Sequence, residues 1–156
     1  MMRNMRRKDR EQSRDFALAI ADKCAYSVLA TVSPDGSPYC VPLSFAREGE
    51  WLYFHSALEG HKIDNLRYNN RVCISCVGDQ EAIPGQFAIK YESALIFGNA
   101  LEITDREEKI RVLRLISMRY TPDEIANFDD GIKLEFDLAS VWKIHIDKIS
   151  GKGRMQ

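Results

Sequence analysis

A chain of 156 residues, 45% hydrophobic and 29% charged, suits one globular domain and excludes a disordered polar tail. The 22 Lys and Arg against 23 Asp and Glu leave a formal net charge of −1, which argues against a dedicated nucleic-acid binder. No apolar run approaches a membrane span, and Phe16 to Ala21 ends at Asp22-Lys23 without a cleavage signal, so a cytoplasmic protein with no membrane partner is expected. Four cysteines (Cys24, Cys40, Cys73, Cys76) in a chain this long read as free thiols.

The first 14 residues hold Arg3, Arg6, Arg7, Lys8, Arg10 and Arg14 against only Asp9 and Glu11. Nothing aromatic accompanies this charge, so residues 1–8 read as a solvated basic arm leading into a helix over 9–23. Strands follow at 26–32, 38–46 and 51–56. Ser33-Pro34-Asp35-Gly36 and Arg47-Glu-Gly-Glu50 supply their turns, so the three form an antiparallel meander. A short helix is predicted over 63–70, a strand over 71–78 and a loop with Pro84-Gly85 over 79–86. A long β-rich run, 87–103, is interrupted by Gly98 as at a bend or bulge. Thr104-Asp-Arg-Glu107 is a capping box opening an amphipathic helix through Ile110, Leu113, Ile116 and Tyr120. Thr121-Pro122-Asp-Glu124 repeats the box before a shorter helix, and a last strand covers 134–149. Six strands in meander order with three or four helices predict a mainly β (α+β) single domain over 1–156, an antiparallel barrel flanked by helices.

Most chemistry-bearing patterns fail on spacing. Cys73-Ile-Ser-Cys76 lies among Val72, Ile74 and Val77, which predict a strand, so its two thiols point to opposite faces, and no second pair completes a metal site. His55 and His61 lack a third ligand with metal-site spacing, and no nucleophile elbow, P-loop or dinucleotide fingerprint is present. The informative segment is Phe54-His-Ser-Ala-Leu-Glu-Gly-His-Lys62, which runs from a strand end through a glycine loop into a first helical turn. Unpaired backbone N–H groups, Ser56, His61 and Lys62 could together hold a phosphate monoester. A surface turn whose polar residues face water reads equally well.

The run Gly36-Ser-Pro-Tyr-Cys-Val-Pro-Leu-Ser-Phe45, then Leu52 to Lys62, then Asn69-Asn-Arg-Val72 resembles the FMN-binding split-barrel superfamily typified by pyridoxamine-phosphate oxidase. The closer likeness is to its 5-nitroimidazole-resistance (Nim-type) branch, through Met5 to Arg10, Lys90-Tyr-Glu-Ser93, Trp142-Lys143 and Gly151-Lys152. The resemblance spans nearly the whole chain. It implies a six-stranded split barrel and a homodimer with FMN at the subunit interface. Val41, Pro42, Leu43, Ser44 and Phe45 would run along the flavin, and Ser56, His61 and Lys62 would hold its phosphate. Ser93 and Trp142 would be supplied from the partner subunit, although Ser93 also reads as strand surface and Trp142 as a core aromatic. His55 would lie near flavin and substrate as the catalytic residue, and no metal is implied.

Val41, Ala46 and His61 stand where the oxidase pattern has Arg, Lys and Arg, and its Arg-rich final strand is missing here. These departures argue against vitamin B6 oxidation and for weaker FMN affinity. The expected function is reduction of a small organic acceptor such as a nitroaromatic, with the flavin carrying the electrons. The alternative is a non-catalytic flavin or haem carrier on the same barrel, with His55, His61 or His145 as axial ligand. A regulator using the basic arm is a third, weaker reading.

Overall fold

The computed structural model describes residues 4–154, so Met1, Met2 and Arg3 of the basic arm, and Met155 and Gln156, lie outside the described residues. In chain order the elements are β1 (Glu11–Gln12), α1 (Arg14–Lys23), β2 (Ser27–Val32), β3 (Pro38–Leu43), β4 (Ala46–Glu48), β5 (Trp51–Ala57) and α2 (His61–Tyr68). Then come β6 (Arg71–Ala82), β7 (Ile89–Glu102), α3 (Arg106–Tyr120), α4 (Phe128–Glu135), β8 (Ala139–His145) and β9 (Lys148–Arg154). Short 3-10 turns occupy Lys8–Arg10, Pro122–Asn127 and Phe136–Leu138.

The strands pair antiparallel in the order β3-β2-β6-β7-β8-β5-β4, with β9 joining β7 and β1 joining β9. The two end strands of this path, β3 and β4, are separated in sequence only by Ser44 and Phe45. One run of chain thus bends from one side of the barrel to the other and closes it covalently, which gives the split barrel. The described residues hold nine strands rather than six. The run 38–46 divides at that bend, and the run 134–149 contains the end of α4, then β8 and only the start of β9, which continues to Arg154. β1 is a two-residue addition.

Two cores follow from strand alternation. Leu52 and Phe54 of β5 pack into the barrel with Leu29, Ile74, Ile96, Trp142 and Ile144. Trp51 and Tyr53 face the other way, onto Val112, Ile116 and Phe128 of α3 and α4. Helix α1 is capped at Ser13, whose Oγ accepts from the Phe16 N–H at 3.1 Å, and starts at Arg14, five residues later than expected. It closes one end of the barrel with Ala17 and Ile20. The Cys73/Cys76 expectation holds. Cys76 is buried and its thiol is pushed up to about 11 by that burial, while Cys73 is only partly buried on the opposite face of β6.

Gly98 is not a bulge. Pairing runs unbroken through Val72 and Gly98, and the irregularity lies between Val77 and Gln80 on β6. The glycine is required because β8 crosses β7 there, and a Cβ at Gly98 would lie 2.1 Å from the His145 carbonyl oxygen.

Gly131, in the middle of α4, is the opposite case. A Cβ there would meet nothing within 4 Å, and its φ is not positive. Gly131→Ala should therefore raise stability by about 1 kcal/mol from helix propensity alone, read as a higher melting temperature.

Candidate functional site

Strand β5 ends at Ala57, and three residues later the chain enters α2 through Gly60 at φ +128°, a conformation that L side chains rarely adopt. No side chain caps α2, and the N–H groups of Ile63 and Asp64 both turn back to the Gly60 carbonyl, at 2.9 and 3.0 Å. The N–H groups of His61 and Lys62 precede the first intrahelical bond and point out of the helix start, at the positive end of its dipole. Lys62 is partly buried and, among the described residues, enters no ion pair.

The β2–β3 hairpin holds this turn in place. His61 Nε2 lies 2.9 Å from Ser33 Oγ, and its ring packs against Tyr39 with centroids 4.1 Å apart. The Ser37 N–H donates to Asp35 at 2.9 Å and is the main reason the Asp35 carboxyl sits below the usual range, with His61 a smaller influence. One turn further along α2, buried Asn65 donates to Thr31 Oγ1 at 3.0 Å while its own Oδ1 has no partner. Ser56 Oγ is likewise buried and unpartnered. An unmade buried hydrogen bond costs about 1–3 kcal/mol, so Ser56 Oγ on the strand before α2 and Asn65 Oδ1 on α2 itself are polar atoms suited to a ligand contact.

The strand expected beside the flavin is an edge. The Ser33 N–H donates to the Ser37 carbonyl at 2.8 Å, and this fixes the parity of the ladder: Tyr39, Val41 and Leu43 bond to β2, while Pro38, Cys40 and Pro42 turn their backbone outward. Since proline has no N–H, that open edge offers three carbonyls and one donor, the Cys40 N–H. Val41 and Leu43 lean into the barrel core, and Pro42 and Ser44 are exposed. Phe45 does not continue this surface. It is a core residue past the end of β3, and its carbonyl already accepts from Tyr120 Oη at 2.8 Å.

The other candidates lie elsewhere. Trp142 is 3% exposed, stacks 6.4 Å from Phe54 and donates its indole N–H to Ser140 Oγ at 3.1 Å, so within one chain it packs as a core aromatic. Ser93, 3.4 Å from the Lys152 carbonyl, lines a separate cavity of about 470 Å³ with Gln12, Leu95 and Phe97. A single chain therefore does not bring Ser93 to the start of α2.

His55 follows the Trp51 and Tyr53 face of β5 and is turned away from neighbouring Ser56. It opens onto a cavity of about 330 Å³ walled by Leu113 and Ile116 of α3 and Phe128 and Ile132 of α4. Loss of water around the ring pushes the His55 pKa below the ordinary 6.5, and the Glu135 carboxylate pulls weakly the other way. At neutral pH His55 is thus an uncharged imidazole with one N–H to donate. The unfolded chain binds a proton at this residue before the folded one does, so the fold loses stability as pH falls through and below 6.5. Melting curves at about pH 7.5 and 5.5 should show a smaller acid-side loss for His55→Gln than for the parent.

Sequence reading missed two groups. One is the tie between the β2–β3 hairpin and α2, formed by Ser33 and Tyr39 on His61 and by Thr31 on Asn65; its signal was the polar Thr31 and Ser33 at inward positions. The other is the α4 wall of the His55 cavity, whose only signal was a glycine inside a helix.

Comparison with known proteins agrees with the resemblance read from Gly36–Phe45 and Leu52–Lys62. Residues 13–153 match the family model described as pyridoxamine 5'-phosphate oxidase. No curated protein sequence matches the chain. Among solved structures, a Bacteroides thetaiotaomicron protein provisionally named for 5-nitroimidazole antibiotic resistance is 30% identical, with a TM-score of 0.78 over 91% of this chain and 84% of its own. An FAD- and haem-binding protein from Mycobacterium smegmatis is 21% identical, with a TM-score of 0.79 over 94% and 74%. The flavocytochrome Anf3 from Azotobacter vinelandii is 22% identical, with a TM-score of 0.73 over 98% and 73%. The last two likenesses are of fold.

Proposed function

The chain belongs to the pyridoxamine 5'-phosphate oxidase family, and from that premise we propose that it is a cytoplasmic, homodimeric FMN-binding oxidoreductase that reduces a small organic acceptor such as a nitroaromatic. The observation that carries this reading is the start of α2: a positive-φ Gly60 entry, two outward N–H groups and a partly buried Lys62 that enters no ion pair among the described residues. Such a set suits a phosphate dianion, and the orphaned Ser56 Oγ beside it suits one more oxygen.

Lys62 and the N–H groups of His61 and Lys62 would hold the FMN phosphate. The carbonyl-rich edge of β3 around Pro42 would accept from the N–H of the flavin ring system. FMN supplies electron transfer when bound, and the protein supplies binding, orientation and hydrogen bonds. The neutral His55 would donate a hydrogen bond to the acceptor. Ser93, remote from α2 within one chain, would reach the cofactor of a second copy. Val41 and Ala46 in place of basic residues leave the site short of charge for a second phosphate, so vitamin B6 phosphates are poor candidates. The exposed free thiol of Cys40 suits a reducing compartment. The 30% identical protein named for nitroimidazole resistance supports the choice of acceptor.

Absorption spectra of the purified protein with and without added FMN test the proposal. Two flavin bands that co-elute with the protein and bleach on anaerobic reduction are expected. An intense single Soret band would replace the proposal with a haem protein and direct attention to His55, His61 and His145. Absence of any bound chromophore after FMN addition would overturn it.

A further inference from the structure

We propose that the cavity between β5, α3 and α4 is the acceptor pocket and that it selects cationic single-ring aromatic molecules over anionic ones; the assignment rests on the reductase reading above. At about 330 Å³ it is at the small end of ligand pockets and suits one ring with a short substituent. Leu113, Ile116, Phe128 and Ile132 form apolar walls, and His55 offers a neutral donor.

Charge in the cavity is one-sided. Glu135 and Glu124 are its ionisable residues besides His55, and no Lys or Arg lines it. The Glu124 carboxylate accepts from Asn127 Nδ2 at 3.2 Å, whereas Glu135 has no ion-pair or hydrogen-bond partner among the described residues. Cations near that turn are engaged otherwise, Arg106 and Lys109 lying 4.5 and 4.1 Å from the Phe136 ring centroid. Glu135 is solvent-exposed, and its carboxylate, set against the apolar walls of the cavity, attracts a cationic ligand and repels an anionic one.

Gly131 is the independent observation. Phe128, Gly131, Ile132 and Glu135 form one stripe of α4, and all four line the cavity. Glycine is among the least favourable residues in a helix. Neither a positive φ nor a close neighbour requires it at this position. What a side chain at 131 would enter is the cavity. The glycine keeps that space open at the expense of the helix, as expected of a wall that receives a ligand.

The test is calorimetric titration of the full-length protein, with and without FMN, using para-nitrobenzylammonium, para-nitrobenzyl alcohol and para-nitrobenzoate, which differ mainly in charge. The cation should bind about tenfold or more tighter than the anion, and Glu135→Gln should remove most of that advantage while changing the neutral alcohol little. Gly131→Met should abolish binding of all three, leave FMN binding intact and not lower the melting temperature. Equal or tighter binding of the benzoate, or full binding by the Gly131→Met variant, would overturn the assignment. Cation-selective binding without reduction by the reduced holoprotein would uphold the pocket and overturn the reductase reading instead.

Discussion

Gly98→Ala should lower stability by about 3 kcal/mol, among the larger effects of a single methyl group. The added Cβ would lie 2.1 Å from the His145 carbonyl oxygen and 2.9 Å from Ile144 Cγ2. The first of these is backbone and cannot rotate away. Strand β7 changes partners at this point: residues up to Phe97 pair with β9, and those from Ala100 pair with β8. The next β8–β9 residue is tied to the same place, since the Asp147 N–H donates to the Phe97 carbonyl at 3.0 Å. Relief of the clash therefore requires the β8–β9 corner to move as a unit. For a domain of this size the melting temperature should fall by roughly 10 °C. A fall of under about 2 °C would mean that the crossing is looser than the geometry indicates. The same substitution at Gly131 should act in the opposite direction, because open space surrounds that position.

Lys62→Ala should weaken FMN binding by about 1.5–3 kcal/mol, roughly a 10- to 150-fold rise in Kd. The size follows from losing a charge-assisted bond to a phosphate that would retain only neutral N–H donors. Because Lys62 enters no ion pair among the described residues, its removal should leave the melting temperature of the cofactor-free protein unchanged. Arg67→Ala, one turn further on and paired with Glu102 at 3.5 Å, should leave FMN affinity unchanged. Quenching of FMN fluorescence on titration checks both variants. An unaltered Kd for Lys62→Ala would remove the phosphate assignment without touching the fold.

Much of the barrel was legible because local chemistry and tertiary structure agree. The hairpin at Ser33–Gly36, the strand at Trp51 and the glycine entry to α2 all lie within a few residues of their sequence positions. At α3 the capping motif was found one residue early. Asp105, rather than Thr104, is the cap and accepts from the Glu108 N–H at 2.8 Å; two adjacent residues could both cap, and sequence does not choose between them.

Strand β9 was misread for a different reason. Lys148–Arg154 holds two glycines and few β-formers, so its strand character comes from outside the segment. Helix α1 lies close against it, and a Cβ at Gly151 would be 3.1 Å from Phe16 Cδ1 and 3.2 Å from Ala17 Cβ. Glycine there is a fit to a distant helix and not a loop signal. The division at Ser44 and Phe45 was hidden likewise, because a strand that changes sheets remains extended.

The same distinction holds at the site. Gly60, His61 and Lys62 form a contiguous motif and could be read directly. The His55 cavity is assembled from residues some 60–80 positions apart, and the separation of His55 from Ser56 depends on which face of β5 meets α3.

Pairing of β1 with β9 sets Glu11 opposite Lys152 and Gln12 opposite Gly151, about 140 residues apart in sequence. During synthesis, α1 therefore emerges from the ribosome long before the surface that covers Phe16 and Ala17 exists. Ile20 meets β6 near Gly78 earlier, but the part of the face around Phe16 and Ala17 must wait for β9, and closing so long a loop carries a large entropic penalty. Seating of the first helix against the last strand is accordingly the late step of folding. In hydrogen exchange during refolding, the amides of β9 should gain protection after those of the β2–β3 hairpin, whose strands are joined by a short turn.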